Sequence, residues 1–280
     1  MSVVCRFAPS PTGHLHLGHA YAALYAWRTA IEAGGRFLLR IEDIDRQRCR
    51  PGFERDLIED LDWLGLTWEQ PVRRQSEHFA DYRAALARLQ ELGVVYPCFC
   101  SRQDIALAGG APHGGDADGP LYPGRCRALA AADAAAHIAE GRAYASRLDL
   151  GRALTLTGPL DWYDRSAGRQ TARPERLGDL VLARRDTPTS YHLSVTLDDA
   201  LQGVTLVTRG TDLFAATHSH RLLQALLGLP TPDYHHHPLL TGADGQRLAK
   251  RNGALPIRAL RSAGHSAAAV RAMAGFPDPG

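Results

Sequence analysis

The chain has 280 residues, of which 45% are hydrophobic and 22% are charged, and its formal net charge is +2. These values are typical of a soluble globular protein, and no apolar run approaches membrane-spanning length, so we expect a cytoplasmic protein without a membrane partner. The small net charge does not exclude nucleic acid, because such a partner needs a local basic surface rather than a high total charge.

The first predicted element is a short strand, Val3 to Phe7, which leads through a turn-rich loop into an amphipathic helix. Ser10 offers a hydroxyl near the free N–H groups of that helix. His16 and His19 share one face of the first helical turn, and Gly18 lets a flat ring lie against the backbone. This pattern predicts an anion site at a helix N-terminus, with two neutral histidine donors directed at a phosphate.

A second predicted strand follows the first helix, which stops at two glycines. The run Phe37 to Ile41 is typical of a buried parallel strand, so the chain opens with a βαβ unit of a nucleotide-binding fold. Glu42, Asp43 and Asp45 come directly after this strand. They either form a solvated turn before the helix that begins near Pro51, or anchor an ammonium group.

Three of the five cysteines lie close together in the middle of the chain. Cys98 and Cys100 precede a Gly/Asp/Pro-rich segment, and Cys126 follows it. An odd number of unevenly placed cysteines argues against a disulfide framework and favours zinc, which prefers four tetrahedral ligands. Chemistry alone proposes His113 as the fourth ligand, and the alternative is a metal-free cluster of buried thiols.

The second half of the chain again shows strand character. We predict an alanine-rich helix at Ala128 to Ala139, short strands from Tyr144 to Asp161, buried strand character from Leu180 to Leu193 and a strand at Val204 to Val207. Arg209 follows the last of these strands, where its fork-shaped cation suits a carboxylate.

Two further polar stretches follow. His235, His236 and His237 are interpreted as a strand edge beside the nucleotide pocket, without metal, because adjacent strand residues point in different directions. Lys250 is the only lysine among 32 Lys+Arg residues. A compact, mobile ammonium group suits phosphate oxygens, so its retention favours a role at a phosphate.

The stretch from Arg6 to His19 resembles the signature of the class I glutamyl- and glutaminyl-tRNA synthetases, with His16 to His19 as the nucleotide-binding tetrapeptide. The second family pattern, Lys-x-Ser-Lys-Ser/Arg, matches at Lys250 and departs at Arg247 and Ala249. The resemblance implies an α/β Rossmann-type doubly wound parallel sheet with an inserted zinc-bearing domain that resembles an acceptor-stem-binding domain. It also implies ATP with Mg²⁺ and L-glutamate as ligands.

The resemblance also assigns site residues. Catalysis would rest on His16, His19 and Lys250, and ATP binding on the same three residues with Gly18. The residues implied to bind glutamate are Arg6, Ala8, Ser10, Glu42, Tyr191 and Arg209, with Glu42 at the α-amino group. Bacterial synthetases that glutamylate queuosine have zinc ligands of the pattern Cys-x-Cys and Tyr-x-x-x-Cys, which here are Cys98, Cys100, Tyr122 and Cys126. Tyr122 thus competes with His113 for the fourth position.

The expected organisation has four parts: residues 1–95 and 179–240 as the two halves of the nucleotide-binding fold, 96–178 as the insertion, and 241–280 as the lysine loop with a short helical end. About 30 residues follow Lys250, too few for the anticodon-binding domain of a full glutamyl-tRNA synthetase. The resemblance therefore favours a monomeric enzyme that places glutamate on the queuosine of tRNA(Asp). A truncated glutamyl-tRNA synthetase acting on tRNA(Glu), and a non-catalytic RNA-binding paralogue, are the alternatives.

Overall fold

The structure is a computed structural model that describes residues 2–101, 103–105, 121–241 and 255–277. Its strands are β1 (Val4–Phe7), β2 (Arg36–Ile41), β3 (Glu69–Arg74), β4 (Val95–Cys98), β5 (Ala145–Leu148), β6 (Asp161–Asp164), β7 (Gly168–Thr171), β8 (Val181–Ala183), β9 (Leu206–Gly210) and β10 (Asp233–His237). Its principal helices are α1 (Leu17–Glu32), α2 (Pro51–Trp63), α3 (Phe79–Glu91), α4 (Ala131–Ala139), α5 (Leu150–Thr157), α6 (Tyr191–Leu201), α7 (Phe214–Leu227), α8 (Ile257–Ser262) and α9 (Ala267–Met273). None of the described helices has the length and apolar character needed to span a membrane.

The predicted βαβ unit is present at the start of the chain. β1 and β2 pair in parallel, with Val4 opposite Arg36 and Phe7 opposite Leu39, and α1 connects them. Both strands are almost entirely buried because helices cover the sheet, as parallel sheets require. β3 adds a third parallel strand beside β2, which the sequence did not predict.

A second sheet has the order β7-β6-β10-β9. β10 lies between β9 and β6, so the three histidines of β10 are in an inner strand and the predicted strand edge is wrong. The backbone N–H of Thr205 donates to the carbonyl of Val4 at 3.1 Å, which places the start of β9 beside β1. β7 runs antiparallel to β6, so the α/β prediction holds but the sheets are mixed rather than wholly parallel.

A third, antiparallel sheet has the order β4-β5-β8. It packs with α3, α6 and α7 around a core that includes Tyr82, Leu148 and Leu222. Two sequence predictions in this region are wrong. The stretch after Leu148 forms α5 between the predicted strands, and Tyr191 begins α6 instead of extending a strand.

The described C-terminal residues pack against the first βαβ unit. The N–H of Ile257 donates to the carbonyl of Leu15 at 2.8 Å, and Pro256 forms an isolated antiparallel bridge with His16. Arg258 forms an ion pair with Asp56 of α2. The chain that follows position 254 is thus fixed directly beside the predicted nucleotide-binding motif.

Candidate functional site

A cavity of about 500 Å³ opens at the carboxyl ends of β1, β2 and β9. This is the edge at which α/β sheets bind ligands. The cavity brings together nine of the residues that the sequence predicted, namely Arg6, Ala8, Ser10, His16, Gly18, His19, Glu42, Tyr191 and Arg209. Lys250, with Arg247 and Ala249, lies outside the described residues.

The two histidines of the N-terminal motif cap α1 themselves. Nδ1 of His16 accepts from the N–H of Gly18 at 3.1 Å, and Nδ1 of His19 accepts from the N–H of His16 at 3.2 Å. Their ring centroids are 3.9 Å apart. Because both Nδ1 atoms accept, each neutral ring carries its proton on Nε2. The cap therefore fixes two imidazole donors at the positive end of a helix dipole. Ser10, which was predicted near this helix terminus, instead contacts Cys49 across 3.6 Å.

Glu42 lies at the end of β2, with its side chain 12% exposed at the cavity wall. Its Oε1 accepts from Nη2 of Arg40 at 3.2 Å. Burial raises the pKa of Glu42, and the charges of Arg40 and Arg6 oppose that effect. A buried carboxylate with one cationic neighbour can still receive a substrate ammonium group on its remaining lone pairs.

Arg6 is already engaged with the protein. Its Nε donates to Oδ1 of Asp199 at 2.9 Å and its Nη2 to Oδ2 at 3.3 Å, a bidentate pair, while Nη1 donates to the carbonyl of Thr208. Arg40 donates to the same carboxylate at 2.8 Å. Although burial acts to raise the pKa of Asp199, the charges of Arg6 and Arg40 hold it below its ordinary value. The charge of Arg6 is thus largely balanced within the fold.

Arg209 has a different environment. It is 6% exposed, and its described hydrogen-bond partners are all uncharged. Nε donates to Nε2 of His236 at 3.1 Å, Nη2 donates to Oγ1 of Thr217 at 2.6 Å, and Nη1 lies 3.2 Å from Nδ1 of His220. Within the described parts of the chain, no carboxylate forms an ion pair with this guanidinium.

The histidines around Arg209 are neutral. Burial, together with the charge of Arg209, lowers the pKa of His192 to about 4 and that of His220 well below its ordinary range. The same two causes lower the pKa of His236 to about 4, although Asp164 opposes them. These residues were not among the predicted site residues; the only signal in the sequence was the run of three histidines.

Tyr191 and the segment around the end of β10 line another part of the cavity. Tyr191 stands at the start of α6, and its ring lies 5.7 Å from that of His220. His237, Leu239 and Leu240 follow along β10 and beyond it. His237 packs edge-on against Tyr21, so this part of the wall is aromatic and apolar. Such a wall suits the flat face of a nucleotide base.

The predicted cysteine cluster is assembled in the structure. The sulfur atoms of Cys98, Cys100 and Cys126 all lie within 4.8 Å of one another. Cys98 ends β4, and Cys126 lies in a 3₁₀ turn that follows Gly124, whose φ of 81° permits the tight bend. Three convergent thiols fit a zinc ion, which binds thiolates tetrahedrally.

Tyr122 lies at the same cluster. Its hydroxyl oxygen is 3.6 Å from Sγ of Cys100 and accepts from the N–H of Cys126 at 2.8 Å. The guanidinium of Arg147 stacks on its ring at 4.1 Å. Tyr122 is therefore in place to complete the ligand set, while its competitor His113 lies outside the described residues.

Residues 2–274 match the family of class I tRNA synthetases for glutamate and glutamine (E and Q), catalytic domain. A glutamyl-Q tRNA(Asp) synthetase of Rhodobacter capsulatus is 51% identical over 281 residues, which cover 98% of this chain and 100% of that protein. A glutamyl-Q tRNA(Asp) synthetase of Symbiobacterium thermophilum is 46% identical over 93% of this chain and 82% of its own length.

Among solved structures, a glutamate tRNA ligase from Elizabethkingia meningosepticum in complex with its amino acid superposes with a TM-score of 0.76 and 29% identity. The match covers 90% of this chain and 53% of the ligase. The chain therefore spans about half the length of that solved ligase, and the likeness concerns this half alone.

Proposed function

Because the chain belongs to the class I tRNA synthetases of the glutamate and glutamine type, we propose that it activates L-glutamate with ATP and transfers the glutamyl group to the queuosine base of tRNA(Asp). It is an ATP-dependent ligase of the aminoacyl-tRNA synthetase kind. The choice of tRNA follows the glutamyl-Q tRNA(Asp) synthetases to which it is 51% and 46% identical.

The observation that carries the proposal is the arrangement of charge around the cavity. Two imidazole donors at a helix N-terminus lie on the same cavity as a buried arginine with neutral partners and a carboxylate, Glu42. Polyphosphate, carboxylate and ammonium are the charged groups of ATP and an amino acid. The cavity thus offers a complementary partner to each of them.

We assign glutamate by the same logic. Arg209 binds the side-chain carboxylate of the substrate, since its charge is not balanced by a described neighbour, and Glu42 binds the α-ammonium group. Arg6, which is paired with Asp199, contributes mainly by fixing the end of β1, with Ala8 and Ser10 beyond it. Tyr191 lines the opposite wall. This assignment gives Arg209 a larger share of recognition than Arg6.

In the first reaction step an oxygen of the glutamate α-carboxylate attacks the α-phosphorus of ATP. The bond from that phosphorus to the bridging oxygen breaks, and the electron pair leaves with pyrophosphate. His16 and His19 donate from Nε2 to the phosphate oxygens as charge develops on them. Lys250 would stabilise the leaving pyrophosphate, and Mg²⁺ bound with ATP would neutralise part of the phosphate charge.

In the second step a hydroxyl of the cyclopentenediol ring of queuosine attacks the carbonyl carbon of the adenylate. The carbon–oxygen bond to AMP breaks, AMP leaves, and the hydroxyl proton is released. A base in a single-stranded anticodon loop can be splayed into such a cavity. The arginines Arg46, Arg48 and Arg50, which follow the Glu42 segment, are exposed and would hold the loop backbone.

The cysteine cluster has a structural role in this proposal. Zinc held by Cys98, Cys100, Cys126 and Tyr122 would have four filled positions and no open site for substrate. It would tie the end of β4 to the 3₁₀ turn at Arg125–Ala128.

The test is transfer of labelled glutamate, with ATP, to purified tRNA(Asp) and tRNA(Glu). We expect label on queuosine-containing tRNA(Asp), and no label on tRNA(Asp) from cells that cannot make queuosine. Removal of the 3′-terminal adenosine should leave the labelling intact. Enzymatic removal is preferable to periodate, which also attacks the vicinal diol of queuosine.

Two outcomes would contradict the proposal. Labelling of tRNA(Glu) that requires an intact 3′ end would identify a glutamyl-tRNA synthetase of the usual specificity. Absence of glutamate-dependent ATP–pyrophosphate exchange would identify a non-catalytic paralogue, because adenylate formation does not require the correct tRNA in this proposal.

A further inference from the structure

Arg209 is held by a chain of buried polar groups that extends away from the cavity. On one side, Nδ1 of His236 lies 2.7 Å from Oδ2 of Asp164, and Nε2 of His236 accepts from Nε of Arg209. Asp164 is fully buried and His236 is 4% exposed. Asp164 ends β6, and His236 lies on the adjacent strand β10, so two strands set this contact.

We propose that Asp164 is a positioning residue for glutamate recognition, which acts through His236 by fixing the ring in the tautomer that accepts a hydrogen bond from Arg209. The proposal rests on the proposed function of the cavity. Asp164 does not line the cavity, and it orients the cationic group that does.

The tautomer follows from the donors and acceptors. A neutral imidazole has one N–H donor and one acceptor nitrogen. Asp164 accepts at Oδ2, so the proton of His236 resides on Nδ1 and Nε2 is left as the acceptor for Arg209. The opposite tautomer would set an Nε2–H against the Nε–H of Arg209, and the two donors would repel.

The other side of the guanidinium is fixed in the same way. Nη2 donates to Thr217, and Nη1 donates to Nδ1 of His220, whose Nε2 lies 3.1 Å from Nδ1 of His192. A guanidinium carries five N–H donors, and the described neighbours use three of them. One N–H on each terminal nitrogen is left, so both terminal nitrogens can still donate to a substrate carboxylate.

Asp164 is itself held in one orientation. Its Oδ1 accepts from the N–H groups of Ser166 and Ala167, both at 2.9 Å, and Oδ2 accepts from the N–H of His236 at 3.1 Å. In Asp164→Asn, two fixed backbone donors face the Oδ1 position and only one faces the Oδ2 position, where the imidazole can change tautomer, so the amide oxygen stays on the Oδ1 side. The amide NH₂ then faces His236 and favours the tautomer with the proton on Nε2. The substitution thus removes the acceptor to which Nε of Arg209 donates, while changing few atoms.

The experiment measures glutamate-dependent ATP–pyrophosphate exchange with Asp164→Asn. We expect the KM for glutamate to rise about 10- to 100-fold, the range for a buried charged group that loses a hydrogen-bond partner. The KM for ATP should stay near the wild-type value, and the preference for glutamate over glutamine should fall. Asp161→Asn is the matched control, because Asp161 lies on the same strand in an exposed ion pair with Arg169.

A double-mutant cycle tests the route through His236. In His236→Gln the amide oxygen accepts from Arg209 without needing a tautomer, so adding Asp164→Asn should then raise the KM for glutamate little further. His236→Met, which has no such acceptor, should raise that KM as Asp164→Asn does. If Asp164→Asn does not fold, the comparison of His236→Gln with His236→Met still tests the route through His236.

The proposal is overturned if Asp164→Asn leaves the KM for glutamate unchanged, raises the KM values for glutamate and ATP alike, or multiplies the effect of His236→Gln in the double variant. Equal KM values for His236→Gln and His236→Met would also overturn it. Failure of the proposed function is a distinct result, since the wild-type protein would then show no glutamate-dependent exchange.

Discussion

Two arginines at strand ends have different roles because of their neighbours. Arg6 forms a bidentate pair with Asp199, whereas Arg209 is surrounded by His236, His220 and Thr217. Of the two, only Arg209 has no carboxylate partner among the described residues, so its charge is available to a substrate. In sequence, both residues follow the same rule, a cation near the end of a strand, so their difference lies entirely in tertiary contacts.

Replacement of Arg209 should reveal this difference. We expect Arg209→Ala to raise the KM for glutamate in the exchange assay by about 100-fold or more, since a carboxylate loses a bidentate charged partner. Arg209→Lys should recover only part of the loss, because an ammonium group cannot form the fork. Arg169→Ala, at an exposed ion pair, is the control. Activation of glutamate and glutamine at unchanged levels would refute the assignment.

Lys250 carries a prediction that rests on the sequence. Lys250→Ala should lower the rate of ATP–pyrophosphate exchange by about 10²- to 10³-fold, with a smaller change in the KM for glutamate, because its cation acts mainly on the leaving phosphates. Lys250→Arg should restore the rate only partly. An exchange rate near wild type in the alanine variant would remove this residue from the mechanism.

The sequence predicted nine of the residues that line the cavity and missed those behind it. The cavity residues lie in short motifs or directly at strand ends, which local patterns reveal. Asp164, His220 and His236 are separated by up to 72 positions, and only the pairing of β6 with β10 brings the first and last together. A buried polar network of this kind has no local signature, because each member alone resembles an ordinary strand or helix residue.

At the level of elements, the amphipathic helices and apolar strands of the first half were predicted well. β3 was missed because its sequence, EQPVRR, is polar and only one of its six residues is buried. The start of α6, from Tyr191 to Leu193, was taken for a strand, and residues 193–199 of this helix are all buried. A helix surrounded by protein has no polar face, so its sequence lacks the 3.6-residue period that identifies helices.

The cysteine cluster joins two elements that contact each other at their ends, β4 and the 3₁₀ turn at Arg125–Ala128. We predict about one zinc per chain by metal analysis. Cys98→Ser should lower metal content and the melting temperature together, whereas Cys49→Ser, outside the cluster, should leave metal content unchanged.

A separate substitution tests which group is the fourth zinc ligand. Tyr122→Phe should speed the loss of zinc to a chelator if the phenol oxygen is a ligand. Unchanged retention would give the position to His113 or to water, and a metal-free wild-type protein would contradict the site as a whole.

At the scale of the whole molecule, the described C-terminal residues close over α2. Arg258 pairs with Asp56 and Arg261 with Glu59, while Asp60 is 1% exposed between them. Among the described residues, Oδ2 of Asp60 has no hydrogen-bond partner. Burial raises the pKa of Asp60 to about 6, although Arg258 opposes the shift. The docking of distant parts of the chain thus creates a carboxyl group that favours its protonated form.

This carboxyl group makes stability depend on pH. Between about pH 4 and 6 the folded state holds a proton that the unfolded state releases, so stability falls as the pH rises through this window. Asp60→Asn should therefore stabilise the protein by roughly 1–2 kcal/mol at pH 7.5 and by less at pH 5. Thermal melting at both pH values is the measurement, with Glu59→Gln as an exposed control on the same helix. An equal gain at both pH values would contradict this account.

The neutral described neighbours of Arg209 also affect the stability of the folded state. A buried cation without a nearby anion costs desolvation free energy, and a substrate carboxylate supplies the missing counter-ion. A ligand that binds only the folded chain adds its binding free energy to stability, about 2.7 kcal/mol at a hundred times its Kd. Bound glutamate would then stabilise the folded state, so that the resistance of the protein to heat and to proteases increases with the concentration of its own substrate. Glutamine lacks the charge and would not replace it.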